Sequence, residues 1–316
     1  MTNPPGVIDF HVHHIPGRFE VTAGHFAPPN QHARWQVLER HLADEALLLK
    51  DIRDGHLDAR VINIPAQLIA DADGHVPHET IVAINEETAA LAARYPMQIF
   101  GLASVDAFDG DRAAREAERA IRDLKLRGLF VDCARGELMI DAPQARPTLE
   151  VAAKLGVPVF VHPVAPQPFT KQMAPYGVVG TLFARGTANA ASLIALLEGR
   201  VFEKLPGLQV VVTALAFGGL GIAAALATES AVAVGAVETL RRHVFIDTMW
   251  PEASILRASV DLLGADRVLA GSDWPIVDNG SVPHALLKAM QQAGLSDEEQ
   301  RAIASGNSRS LLRLDE

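Results

Sequence analysis

Short runs of apolar and β-branched residues alternate along the chain with longer stretches whose apolar positions recur every three or four residues. The short runs predict strands at 7–11, 59–64, 98–105, 128–131, 157–161, 209–213, 244–247 and 268–271. The longer ones predict amphipathic helices at 38–52, 78–94, 111–124, 148–155, 188–197, 252–263 and 282–292. Strands that alternate with helices in this way favour a closed parallel α/β barrel, (β/α)8, over an open sheet. Two connections exceed the usual length. One runs over 15–36, and the other over 163–186 carries Pro163, Pro166, Pro168 and Pro175. Both follow strands, so both belong at the C-terminal mouth of the barrel as lids or pocket walls. The segment 296–312 reads as two short closing helices, with Ser296 as a cap and Glu299 three residues later.

At 316 residues the chain fits one barrel domain spanning 1–316. A formal charge of −10, with Lys and Arg scattered, argues against nucleic-acid or anionic-membrane partners and leaves a small molecule. Cys133 is the single cysteine, which rules out an internal disulfide and fits a reducing cytoplasm. Met1 to Gly6 lacks the basic and apolar regions of a secretory signal. The apolar stretch 214–227 is too short and Gly-rich to span a bilayer, and reads as a buried helix start, with a subunit contact as the alternative. The expectation is a cytoplasmic enzyme.

Chemistry enters at Asp9-Phe-His-Val-His13. Side chains two apart on a strand share a face, so His11 and His13 form half of a divalent-metal site. The assigned strands bring His162 from the end of the fifth and Asp273 from the end of the eighth to the same mouth. Three neutral imidazoles and a carboxylate suit zinc, with manganese or cobalt as alternatives, and leave a position for water. Taken singly, His162 reads as a hydrogen-bonded core histidine and Asp273 as a helix cap. Their conjunction at strand ends points to a metal.

Several pieces carry a family resemblance. They are Asp9-Phe-His-Val-His13-His-Ile-Pro16, Val159-Phe-Val-His162-Pro163, Gly199-Arg-Val-Phe-Glu-Lys-Leu-Pro-Gly-Leu208 and Leu263-Gly-Ala-Asp-Arg-Val-Leu-Ala-Gly-Ser-Asp-Trp-Pro275, with Ile303 and Asn307 in the tail. The chain resembles the amidohydrolase superfamily, in the amidohydrolase-2 branch that includes aminocarboxymuconate-semialdehyde decarboxylase. The resemblance covers nearly the whole chain. It implies a TIM barrel with His11, His13, His162 and Asp273 as ligands, and a homodimer. One departure stands out. The family commonly has His-x-Gly-Gly after the sixth strand, where this chain has Ala216 ahead of Gly218-Gly219. His14, His25 and His78 are the candidates to replace that imidazole, each reading more readily as a surface or supporting residue.

A substrate carboxylate calls for an arginine, and Arg34 and Arg185 lie in the two long connections. Trp250, Trp274 and Phe169 are candidates for an apolar wall, with ordinary packing as the other reading, and Cys133 reads as an inert buried thiol. The leading expectation is a metal-dependent hydrolase using an activated water, with Asp273 as proton shuttle. The alternative is a non-oxidative decarboxylase of an aromatic or muconate-type acid, in which Asp273 protonates carbon. A metal-binding barrel without turnover is the third reading.

Overall fold

The computed structural model describes residues 6–26, 31–71, 76–165, 168–277 and 282–314; Pro166 lies outside them. The strands are β1 (Ile8–His13), β2 (Ala59–Asn63), β3 (Ile99–Gly101 continuing as Ala103–Ser104), β4 (Leu129–Asp132), β5 (Pro158–His162), β6 (Gln209–Val212), β7 (Val244–Asp247) and β8 (Val268–Leu269). Each pairs in parallel with the next. Between β8 and β1 the ring closes through Phe10 N to Ala270 O, Asp273 N to His11 O and His13 N to Trp274 O, each 2.8 Å. The architecture is the expected TIM barrel.

The interior is layered. Ile8, Phe10, Val61, Phe100, Phe130, Phe160, Val211, Phe245 and Leu269 fill its lower part. Leu312 of the closing helix Asn307–Leu312 joins them from below. Ring centroids of Phe130 and Phe160 are 5.2 Å apart. The outward positions of the strands pack against the helices in a second apolar cluster.

In β1 the facing of the side chains changes partway along. Asp9 is registered with Arg60 and Val12 with Ile62, so β1 spends one more residue than β2 over that interval. This is a β-bulge, which re-aims the side chains beyond it. Phe10 therefore joins the lower core, while His11 and His13 are also brought inside and Val12 faces the helices.

Two helix expectations are revised. The stretch 38–52 is broken: a helix His32–Ala43 ends, and Asp44 caps a new turn by accepting from Leu47 N at 2.9 Å. The Pro-rich connection is shorter than expected, because the helix expected over 188–197 already begins at Gly177 and runs to Glu198. The closing segment has the expected capping box between Ser296 and Glu299. The stretch 214–227 forms a short turn, Ala214–Ala216, and a helix, Phe217–Ala225, whose Gly219, Leu220 and Ala223 are buried. Among the described residues, no helix is long and apolar enough to cross a membrane.

Candidate metal centre

His11, His13 and His162 meet at the top of the apolar layer, with ligating atoms all within 4.8 Å of one another. All three are buried. Asp273 joins them from the loop after β8, its Oδ1 2.9 Å from His13 Nε2 and 3.5 Å from His11 Nε2. Asp273 has φ of +60°, a left-handed backbone uncommon for a non-glycine residue and often met at functional sites. Gly271 makes the approach of β8 to this cluster feasible: a Cβ there would stand 3.0 Å from both the Asp247 and His11 Cβ atoms.

The partners of the histidines fix which nitrogen faces inward. Nδ1 of His11 donates to Asp247 Oδ2 at 2.6 Å, and Nδ1 of His13 to Asn63 Oδ1 at 2.7 Å. Both Nε2 atoms then carry lone pairs toward the centre, the tautomer a metal requires. His11 Nε2 is buried with no hydrogen-bond partner. Gln67 Nε2 lies 3.0 Å from His162 Nδ1 and donates to Pro163 O at 3.2 Å. A buried lone pair without a donor, beside two imidazoles and a carboxylate, fits a divalent cation.

For His13 and His162 the electrostatics agree with ligation. Burial holds His13 below its ordinary pKa, and His11 adds to the effect. Burial, Arg185 and the two neighbouring imidazoles hold His162 well below its own. Burial opposes charge on His11 as well, but Asp273 and Asp247 outweigh it and raise that pKa. Burial alone would raise the Asp273 carboxyl; His11, His13 and Arg185 overcome it and keep the pKa low.

A cleft opens above the centre. His13, His162 and Asp273 contribute to its lining, with walls from Trp35, Leu68, Val178, Leu182, Trp250 and Ile276. Arg185 is in the lining, half-buried beside His162, with Nη2 3.3 Å from His162 Nε2 and donating to Pro163 O at 3.0 Å. Arg34 is also there, exposed, and donates to Ile276 O at 2.7 Å.

Three expected pocket residues are elsewhere. His14 follows His13 on the opposite face of the chain, buried near Glu45, and does not reach the cleft. Trp274 turns its ring under Arg60, 4.6 Å from the guanidinium, because the loop after Asp273 directs it away from the mouth. Phe169 packs on Phe183, ring centroids 6.1 Å apart. His25 is exposed near Glu20 and His78 sits by Glu116, so neither supplies an imidazole where Ala216 lies buried. Burial pushes the Cys133 thiol up to about 12, which makes it inert as a nucleophile.

Asp247, Asn63 and Gln67 are the residues that sequence reasoning passed over. Asp247 and Asn63 stand at or near the C-terminal ends of expected strands, where inward polar residues of a barrel collect. That position was the available signal. Gln67 follows β2 in a short turn and offered none.

A sequence model of the family described as amidohydrolase matches residues 8–314. The gamma-resorcylate decarboxylase of a Polaromonas species is 23% identical over 305 residues, covering 89% of this chain and 91% of that protein. The crystal structure of 2,6-dihydroxybenzoate decarboxylase from Rhizobium superposes with a TM-score of 0.82 at 21% identity, covering 99% of this chain and 100% of that one. A dihydroxybenzoic acid decarboxylase from Polaromonas, with bound manganese and the inhibitor 2-nitroresorcinol, gives 0.82 at 22% identity, covering 99% and 98%. A divalent metal is thereby supported, and zinc in particular is not.

Proposed function

This chain belongs to the amidohydrolase family, and we propose that it is a metal-dependent, non-oxidative decarboxylase of a hydroxylated aromatic acid. The supporting observation is the meeting of His11, His13, His162 and Asp273 at the floor of an apolar-walled cleft. The proteins it resembles are decarboxylases of aromatic acids. Their activity moves the hydrolase expectation into second place.

A divalent ion held by those four residues would supply fixed positive charge that draws substrate oxygens to the cleft floor. Manganese is the proposed ion, by likeness to the Polaromonas structure, and zinc is the competitor for the same donors. Asp273, kept as a carboxylate by the charges around it, takes the proton of the substrate hydroxyl. It then delivers that proton to the ring carbon bearing the carboxylate. The bond from that carbon to the carboxylate breaks and carbon dioxide leaves. The bonding electrons stay with the ring, which departs as a phenolate and is reprotonated by water. Trp35, Leu68 and Trp250 cover the ring and keep water from the reacting carbon. Arg34 at the rim takes a peripheral polar group of the substrate.

Manganese-loaded protein incubated in deuterium oxide with 2,6-dihydroxybenzoate and related hydroxybenzoic acids tests this. The expected result is carbon dioxide release with one deuteron at the vacated ring carbon. Turnover of amides or lactones without any carbon dioxide release would restore hydrolysis. Stoichiometric metal with no turnover of either class would leave a binding barrel.

A further inference from the structure

Three carboxylates surround the centre, and one of them, Asp132 at the end of β4, has Oδ1 3.8 Å from His162 Nδ1. Asp247 ends β7 and Asp273 follows β8. Beside His162, past β5, stands the half-buried guanidinium of Arg185. Its position is built into the fold through the helix Gly177–Glu198. One turn after Arg185, on the same helical face, Asn189 donates to Val161 O at 2.9 Å and accepts from the Thr213 hydroxyl at 2.9 Å. That side chain pins the helix across the ends of β5 and β6. Next to Arg185, Gly186 lies so close to the turn Ala214–Ala216 that a Cβ would stand 2.9 Å from Leu215 O. Glycine at this position is what lets the helix come down onto the sixth-strand turn. The guanidinium is thereby held against His162 Nε2 and Pro163 O in the lining of the cleft.

Arg185 is not satisfied by the protein. Nη2 has the Pro163 carbonyl, whereas Nε is buried without a partner. Asp273, which is already shared with His11 and His13, and Asp132 favour its charge without forming an ion pair with it. A half-buried fork whose buried Nε donor is unpaired, beside a cation site, calls for an anion between the two.

We propose that Arg185 is the oxyanion subsite of the cleft, so that the substrate must present a carboxylate or phenolate oxygen between this guanidinium and the metal centre. The assignment rests on the decarboxylase reading for its substrate class and on the helix geometry for its position. A guanidinium keeps its proton, so Arg185 binds and orients and takes no part in proton transfer.

The test is calorimetric titration of manganese-loaded protein with 2,6-dihydroxybenzoate, 2-nitroresorcinol and neutral resorcinol. Arg185→Gln is expected to weaken one or both acidic probes by about ten- to a hundred-fold, with resorcinol binding and manganese content unchanged. Loss on 2,6-dihydroxybenzoate alone assigns a carboxylate; equal loss on 2-nitroresorcinol assigns a phenolate oxygen. Arg185→Lys keeps the charge without the fork and is expected to give a smaller loss confined to the same probes. It carries the test if Arg185→Gln does not fold. Equal weakening of resorcinol, no weakening, a fall in manganese content, or failure of the wild-type protein to bind either acidic probe overturns the proposal. Anion binding through Arg185 without carbon dioxide release rejects the decarboxylase reading alone. Carbon dioxide release with unchanged anion affinity in Arg185→Gln rejects the subsite alone.

Discussion

Phe160 and His162 leave the same strand into the same barrel interior, two positions apart, and meet opposite surroundings. Phe160 stacks among Phe10 and Phe130 in a layer without charge. His162 sits one layer higher among two imidazoles, an arginine and a carboxylate. The lower layer holds the barrel shut. The upper layer uses that closure, because the Phe130 ring 4.9 Å from His162 and the Phe160 ring 4.8 Å from His11 keep water from below. Low polarity beneath the centre strengthens each charge interaction above it. Stability and chemistry are thus stacked along the barrel axis.

Substitutions in each layer are ways to break that division. Asp273→Asn in the upper layer should lower turnover by roughly a hundred- to ten-thousand-fold, measured as carbon dioxide release, with the midpoint of urea unfolding nearly unchanged. A collapse of stability instead would mean that the upper layer also holds the fold. Phe160→Ala in the lower layer should cost about 3–5 kcal/mol in urea unfolding, while the protein that remains folded still binds one metal per chain.

His13 and His14 sharpen the contrast, since adjacent imidazoles lie on opposite faces of the strand. Burial lowers the His14 pKa to about 4 from 6.5, and its Nδ1 has no partner. Between those values the unfolded chain binds more protons, so stability falls as the pH drops through that window. Below it the loss is complete, at up to about 3 kcal/mol. In His14→Phe that part of the acid-side slope should vanish when urea unfolding at pH 7 and pH 5 is compared. Asp247→Asn should weaken metal affinity by about ten- to a hundred-fold, read by competition with a chelator, because the Nδ1 acceptor of His11 is weakened. The smallest effect expected is at Cys133, where a thiol-specific reagent should label the folded protein negligibly.

Much of the lower layer could be read from the chain. Runs such as 157–161 and 244–247 are apolar on both faces, as strands covered by helices must be. His11, His13, His162 and Asp273 were visible as polar residues at the ends of such runs. The bulge in β1 was not, because an extra residue in one strand shows only against the register of its neighbour. The start of the helix at Gly177 was hidden by Pro175 and by Gly180 and Gly186, which lower helix propensity while permitting close packing. His14 and Trp274 misled for a related reason. Position along the chain placed them at the mouth, whereas the direction of each side chain depends on contacts made by distant residues, Glu45 for one and Arg60 for the other.

The Asp247 carboxylate has a mechanical consequence. One oxygen holds His11, while the other accepts from Ala214 N at 2.8 Å and Met249 N at 3.1 Å. Two segments at the rim, one leading to Ala216 and one to Trp250, are thus tethered to the tilt of a single imidazole. Removing that carboxylate would therefore free both rim segments together with the imidazole.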